Sequence, residues 1–293
     1  MNKVIDLHAD DFGISDHVSD VIIKLIKEGH LDSISMMVNM KAYPANLNKL
    51  KKEIDLTKVK ISLHLNFMEG KCLADPGFLP DLVDQNGYFN TSWGKLFLSN
   101  FNLGKKKRLI EELRTETEAQ IARIKNDLGP DYKLRIDSHQ HPHMLPVVFE
   151  ALKQALADEE IEYLTVADEP LGPFLKQPSL YKTYSFSNLL KNLILKFYSS
   201  KVRKYVKERN LPDNDLWGLM FSGNMDQKRV TILLPSMLEA ANRKNRRLEI
   251  LFHPGVVLPE EFNEDFTKEG FNEFHRSSGR VNEEEALEKF PKL

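Results

Sequence analysis

The chain has 293 residues, of which 41% are hydrophobic and 29% are charged, and its formal net charge is -2. A mean hydropathy of -0.41 and the lack of an apolar run long enough to cross a bilayer exclude a membrane-spanning protein. The acidic balance and the lack of a recognisable binding motif argue against nucleic acid, so we expect neither nucleic acid nor a membrane as a partner. The single cysteine, Cys72, forms no intrachain disulfide and the first residues lack a secretory signal, so we expect a cytoplasmic location.

Short β-branched or apolar runs alternate with longer helical patterns along almost the whole chain. In chain order, the predicted strands lie near 4–8, 33–39, 60–66, 134–137, 161–166, 216–221 and 248–252, and the predicted helices at 17–28, 107–127, 147–157, 186–208 and 227–243. This alternation is typical of βα units around a parallel sheet, and α/β barrels reach this length as one unit. We therefore predict an α/β barrel of about seven parallel strands, formed by a single domain over 1–293.

Two connections, 67–106 and 167–185, are longer than a simple crossover requires and are rich in turn-forming residues. Long loops in compact domains are often lids or binding loops, so we expect both connections to cover a site. The last stretch, 277–290, is predicted to form a Ser/Gly turn, an Asn cap and a short acidic helix that Pro291 ends.

Unusual polar residues follow the carboxyl ends of four predicted strands. They are Asp10 and Asp11 after the first strand, His64 and Asn66 after the third, Asp137, His139, His141 and His143 after the fourth, and His253 after the last. Taken singly, each has an ordinary explanation as a turn residue, a helix cap or a buried core histidine. In a parallel barrel these strand ends converge on one mouth, so we expect the residues to meet there. The remaining histidines, His8, His17, His30 and His275, lack this position and are interpreted as structural or exposed.

If these segments meet, one carboxylate and two neutral imidazoles form a facial set that suits a divalent metal with open coordination positions. Adjacent aspartates at a strand end are expected to diverge, so one can bind the metal while the other accepts a proton from metal-bound water. A separate histidine across the pocket could protonate a leaving group. The pattern therefore predicts a hydrolytic metal site. The donors admit zinc, cobalt, nickel or manganese, and also magnesium if waters complete the shell.

Six segments at these positions carry a family resemblance. They are ADDFGIS at 9–15, SLHLNFMEG at 62–70, DSHQHPHMLP at 137–146, ADEP at 167–170, FSGNM at 221–225 and LFHPG at 251–255. In these segments the chain resembles the YdjC-like carbohydrate deacetylases, a family that includes chitooligosaccharide deacetylases. The resemblance implies a distorted TIM-like barrel and a hydrolase of linear amide C–N bonds. It also implies one divalent metal ion, an N-acetylated amino sugar or oligosaccharide as substrate, acetate as a product, and a homodimer.

The resemblance also assigns roles to individual residues. It implies that Asp11, His64 and His139 are metal ligands, with His141 as an alternative to His139, that Asp10 is the general base and that His253 is the general acid. Residues that would contact sugar or support the ligands are Asn66, Asp137, His141, His143, Glu169 and Ser222. The family often carries an arginine where this chain has Thr165 and Val166, so a charge contact is lost or moved here.

Two other functions remain open from the sequence. One is a metal-dependent hydrolase of another amide or of a phosphoester, for which a second metal and phosphate-binding cations are expected. The other is a catalytically silent sugar-binding homologue.

Overall fold

A computed structural model of the protein describes residues 4–291, so the outermost positions of the predicted domain, 1–3 and 292–293, lie outside the described residues. Seven strands in the described chain form one parallel sheet in the order β5-β4-β3-β2-β1-β7-β6. Their bounds are β1 Ile5–Phe12, β2 Ser33–Met36, β3 Lys60–Leu65, β4 Leu134–Ser138, β5 Ile161–Leu164, β6 Asn214–Trp217 and β7 Arg247–Phe252. The predicted α/β class and the barrel-like arrangement of seven parallel strands are confirmed.

The sheet curls into a distorted barrel whose two edge strands do not form a regular ladder. The chain after β5 and the start of β6 are joined by the Asn214 side chain, whose Oδ1 accepts from Val166 N at 2.9 Å. One backbone bond, from Leu216 N to Asp168 O at 3.3 Å, adds to this contact. Strands β5 and β6 are only four residues long, so few backbone hydrogen bonds can form between them. Side-chain hydrogen bonds therefore help to close the barrel at this point.

Helices surround the sheet. Their bounds are α1 Asp16–Lys27, α2 Tyr43–Glu53, α3 Trp93–Ser99, α4 Leu103–Leu128, α5 Pro146–Ala155, α6 Gly172–Leu175, α7 Phe186–Glu208, α8 Gln227–Arg243, α9 Glu269–His275 and α10 Ser278–Glu288. The predicted helices 186–208 and 227–243 have the same bounds as α7 and α8. No helix between residues 4 and 291 is both long and apolar enough to cross a membrane.

The sixth strand and the last helix differ from their predictions. The predicted strand 216–221 ends at Trp217, because Gly218 turns with φ +139 and a Cβ there would lie 2.6 Å from Leu251 O. The predicted Asn cap of the last helix is wrong, since Ser277 caps α10 by accepting from Gly279 N at 3.1 Å. The earlier start lets Gly279 pack against the Gly223 carbonyl, where no larger residue fits.

The interior of the barrel is polar, whereas the outer face of the sheet is apolar. Strand β1 is buried along its whole length, with Leu7 and Ala9 in the hydrophobic core and Asp6, His8 and Asp10 also buried. Asp6 and Asp10 accept hydrogen bonds from serines of the neighbouring strand β2, and His8 reaches Asp137 of β4. Alternation along a strand thus directs titratable groups into the barrel, below the carboxyl ends of the strands.

Candidate active site

The end of β1 directs two adjacent carboxylates to one point. Between the pairs Ala9–Ile34 and Phe12–Met36, β1 contains one residue more than β2, and Asp11 lies in the left-handed region with φ 68. This bulge turns the Asp11 side chain away from the alternation of a regular strand. Oδ2 of Asp10 and Oδ1 of Asp11 each lie 3.7 Å from His64 Nε2. The bulge thus brings both aspartates beside His64, while Asp11 shares a donor group with His64 and His139 and Asp10 shares another with His8 and Asp137.

Asp11, His64 and His139 surround a point with the dimensions of a metal site. One donor atom from each residue lies within 4.8 Å of the other two, and His139 Nδ1 is 3.2 Å from Asp11 Oδ1. Asp11 Oδ1 and His64 Nε2 are buried, and neither has a hydrogen-bond partner within residues 4–291. Buried polar atoms without partners are costly unless a ligand satisfies them, so this donor set fits a bound cation.

Three imidazoles at the site share one arrangement, in which the nitrogen facing away from the centre meets a buried carboxylate. His64 Nδ1 lies 2.5 Å from Asp137 Oδ1, His139 Nε2 lies 2.8 Å from Glu69 Oε2, and His253 Nδ1 lies 3.5 Å from Glu283 Oε2. The His139–Glu69 contact is close but not aligned as a hydrogen bond. Carboxylates in this position commonly fix the tautomer and orientation of ligating histidines.

One carboxylate oxygen of Asp10 is hydrogen-bonded, and the other faces the candidate metal position. Ser35 donates to Asp10 Oδ1 at 2.8 Å, whereas Asp10 Oδ2 lies 3.7 Å from both His64 Nε2 and His253 Nε2. Burial raises the pKa of Asp10, but the surrounding histidines, His64 most strongly, outweigh burial and hold this pKa below its usual range. Asp10 is therefore an ionised carboxylate beside the candidate metal position.

The carboxyl-terminal helices supply residues that the sequence analysis did not identify. Arg280 on α10 is fully buried and donates to Asp11 Oδ2 at 2.8 Å and to Gly255 O at 2.6 Å. On the same helix, Glu283 accepts from the backbone N–H of His253 and from Met225 N. His275, at the end of α9, lies 3.0 Å from Glu69 Oε2. In the sequence, the only indication of these two residues is that Arg280 and Glu283 are three positions apart and so lie on one face of a helix. Because the helix is rich in charged residues, this spacing does not distinguish them from their neighbours.

A cavity of about 410 Å³ opens over these residues. Its lining includes Asp10, His139, His141, Lys191, Ser222 and His253. His141 lies in the left-handed region with φ 59, and its Nδ1 has no hydrogen-bond partner in the described part of the chain. Burial holds the pKa of His141 well below its usual range, so the ring is neutral. His139 belongs to the three-residue donor group, whereas His141 contributes to the cavity wall.

The other predicted site residues lie behind the cavity wall. Asn66 accepts from Met68 N and Glu69 N and so fixes the turn that carries Glu69. His143 is fully buried, with its Nε2 2.8 Å from Thr165 O. Glu169 accepts from the backbone N–H groups of residues 218–220, which form the turn before Ser222. These three residues thus support the backbone around the site and do not line the cavity.

One family model and several curated proteins match the chain. A family model described as YdjC-like protein matches residues 4–289. The chain is 30% identical to a carbohydrate deacetylase of Danio rerio over 164 residues, which are 55% of this chain and 49% of that protein. It is 30% identical to a chitooligosaccharide deacetylase of Serratia marcescens over 160 residues, 53% of this chain and 57% of that protein. The matches span about half the length of these curated relatives.

A solved structure supports the fold alone. It comes from Enterococcus faecalis V583 and is described as a candidate cellobiose-phosphate cleavage protein. It aligns with a TM-score of 0.65 at 19% identity and covers 99% of this chain and 92% of its own.

Proposed function

Since the chain belongs to the YdjC-like protein family, we propose that it is a metal-dependent hydrolase that removes acetyl groups from N-acetylated amino sugars or chitooligosaccharides and releases acetate. One observation carries this proposal: the partnerless donor atoms of Asp11 and His64 lie beside the ionised Asp10 at the base of an open cavity. The names of the relatives from Danio rerio and Serratia marcescens support the reaction and the substrate class. In this proposal residues 1–293 act as one catalytic domain.

Asp11, His64 and His139 would hold one divalent metal ion, which would polarise the acetamide carbonyl and lower the pKa of a bound water. Two imidazole nitrogens and one carboxylate oxygen suit zinc, cobalt, nickel or manganese, and magnesium is compatible if waters complete its shell. Arg280 occupies the second oxygen of Asp11, so this carboxylate has a single oxygen free for a cation. His64 and His139 have their far nitrogens directed to Asp137 and Glu69, which supports neutral, correctly oriented ligands.

Asp10 is the general base of the proposed reaction. Its Oδ2 is free, whereas Ser35 holds Oδ1, so the attacking water gives its proton to Oδ2. His253 is the general acid and donates a proton from Nε2 to the departing amine nitrogen. Asp10 Oδ2 and His253 Nε2 lie 3.7 Å apart, beyond direct hydrogen-bond distance, so the proton taken by the base returns to the acid through a water after acetate leaves. One water is consumed for each acetate and amine formed.

The proposed assembly is a homodimer in the cytoplasm. Four exposed apolar side chains of α7, Phe186, Leu190, Leu193 and Phe197, recur at helical spacing and are between 46% and 79% exposed. We call these four residues the α7 stripe. Contiguous apolar surface of this kind usually marks an interaction site, and a second copy of the chain would bury it. The unpaired thiol of Cys72 is compatible with a reducing compartment.

Acetate release is the test of this function. Metal-stripped protein is incubated with N-acetylglucosamine oligomers after separate addition of zinc, cobalt, nickel, manganese or magnesium, and acetate is measured. Asp10→Asn keeps the size of the side chain but cannot accept a proton, so we expect kcat to fall by about 10²–10⁴-fold. The matched control is Asp20→Asn on the exposed face of α1, which should leave the rate unchanged. Bound metal without acetate from any oligomer contradicts the proposed function and favours another substrate or a silent homologue.

A further inference from the structure

His8 lies below the candidate base and contacts two functional carboxylates at once. Its Nε2 is 3.1 Å from Asp10 Oδ1 and 3.1 Å from Asp137 Oδ2, and all three side chains are almost completely buried. Asp10 is the proposed general base, and Asp137 orients His64. The ring is close to both oxygens but is aligned with neither as a simple hydrogen bond.

The hydrogen bonds on the other side of the ring define its tautomer. Ser33 Oγ lies 2.7 Å from His8 Nδ1 and donates its only hydrogen to Asp6 Oδ1, also at 2.7 Å. Asp6 can only accept, since Lys60 donates to its other oxygen and the net pKa of Asp6 is lowered despite its burial. His8 must therefore donate through Nδ1. A neutral ring would then direct the Nε2 lone pair at two carboxylates, so this position requires a cation.

Two cations could satisfy it, a second proton on the ring or a second metal ion. His8, Asp10 and Asp137 have donor atoms within 4.8 Å of one another, which a metal could use. However, His8 Nε2 and Asp137 Oδ2 are inaccessible to solvent, so no water could complete the shell and a metal would have three protein ligands. Divalent ions require at least four ligands. A proton needs only the ring that is already present.

We propose that His8 is a positioning residue whose doubly protonated ring holds Asp10 and Asp137 in place, so that Asp10 directs Oδ2 to the site while Asp137 orients His64. The positive ring screens the repulsion between two carboxylates that would otherwise be buried against each other. Burial lowers the pKa of His8, but Asp10 and Asp137 raise it well above its ordinary value. This inference rests in part on the proposed function, because it takes Asp10 as the base.

Nitrogen NMR of the intact chain with labelled histidine tests the state of the ring without any substrate. We expect His8 to have both nitrogens protonated in metal-stripped and in zinc-loaded protein, with signals that are absent from His8→Asn, whereas His139 should lose its second proton when zinc binds. His30→Asn, a change at a partly exposed histidine, is the matched control and should retain them. A neutral His8 ring in the metal-stripped protein overturns the proposal. Two zinc ions per chain, reduced to one in His8→Asn, also overturn it, because the second ion then replaces the proton.

Kinetics separate positioning by hydrogen bonds from simple packing. Asn keeps N–H donors for the two carboxylates, whereas Leu fills a similar volume without any donor. At saturating zinc we expect His8→Leu to lower kcat by about 10²-fold or more. The loss of kcat in His8→Asn should be about ten times smaller than in His8→Leu, and KM should change by less than about threefold in both variants. Equal losses in the two variants contradict positioning by donation. The NMR and zinc measurements use the wild type and His8→Asn, so they remain decisive if His8→Leu fails to fold. If the wild type releases no acetate, the proposed function fails while the NMR measurement still tests His8.

Discussion

Arg280 Nη1 lies 2.8 Å from Asp11 Oδ2, although the two residues are 269 positions apart in the chain. Both side chains are fully buried, so the guanidinium and the carboxylate neutralise each other where water cannot. The pair joins the bulge at the end of the first strand to the last helix. Arg280 thereby leaves a single oxygen of the candidate ligand Asp11 free.

Replacing Arg280 should weaken both folding and metal binding. Arg280→Met leaves Asp11 buried without its partner, which costs about 3–5 kcal/mol of unfolding free energy, and zinc affinity should fall about 10–100-fold. Denaturant unfolding and calorimetric zinc titration measure the two effects. Arg276→Met, at a half-exposed arginine beyond the end of α9, is the control and should change neither. Unchanged zinc affinity in a folded Arg280→Met protein argues against this role.

Glu69 is expected to act on the metal ligand His139 and not on the proton transfers. Glu69→Gln removes the negative charge 2.8 Å from His139 Nε2 and weakens the orientation of the ring. We expect zinc affinity to fall about 10–100-fold, with kcat at saturating zinc changed by less than about threefold. Glu273→Gln on the exposed side of α9 is the matched control. A loss of kcat that excess zinc does not restore is inconsistent with this assignment.

Glu283 is expected to show the opposite pattern. Its carboxylate faces His253 Nδ1 at 3.5 Å and holds the His253 backbone N–H. Glu283→Gln should lower kcat about tenfold or more through misorientation of the acid, with zinc affinity changed by less than about threefold. Steady-state rates at several zinc concentrations separate the two quantities. Equal losses in zinc affinity for Glu283→Gln and Glu69→Gln rule out the division of roles.

Metal affinity should increase with pH. Burial lowers the pKa of His139, but Asp11 and Glu69 raise it to about 9 in the metal-free protein. Below that pH a proton occupies the ring and competes with the metal, and the pKa of His64 is raised as well, so zinc binding should release at least one proton near pH 7 and affinity should fall at least about tenfold for each lower pH unit. Calorimetry in buffers of different ionisation enthalpy counts the proton. Binding that is independent of pH between 7 and 9 speaks against His139 as a ligand.

The α7 stripe should govern assembly. Light scattering of the wild type is expected to give about twice the chain mass of 33.8 kDa, and Leu190→Ser combined with Phe197→Ser should give the monomer mass. Leu175→Ser is the control, since Leu175 is 70% exposed and lies outside the stripe. A wild type that is already monomeric at micromolar concentration contradicts the proposed homodimer.

Much of the fold could be predicted from local patterns alone. The predicted helices 186–208 and 227–243 agree with α7 and α8 to the residue, and all seven strands were placed within a few residues. Apolar periodicity is a local property, so one stretch of sequence contains the whole signal. The common position of Asp11, His64 and His139 at strand ends was also readable, because parallel strands bring their carboxyl ends to one side.

The parallel α/β architecture and the cluster of aspartates and histidines at one end of it thus follow from local sequence patterns. The position of both Asp10 and Asp11 beside His64 depends on the fold, because the bulge requires pairing between β1 and β2. Only the tertiary structure decided that His8, Glu69, Arg280 and Glu283 belong to the site. These residues act through contacts across the barrel or from the distant carboxyl-terminal helices, and no local pattern reports a contact between segments that the fold alone brings together.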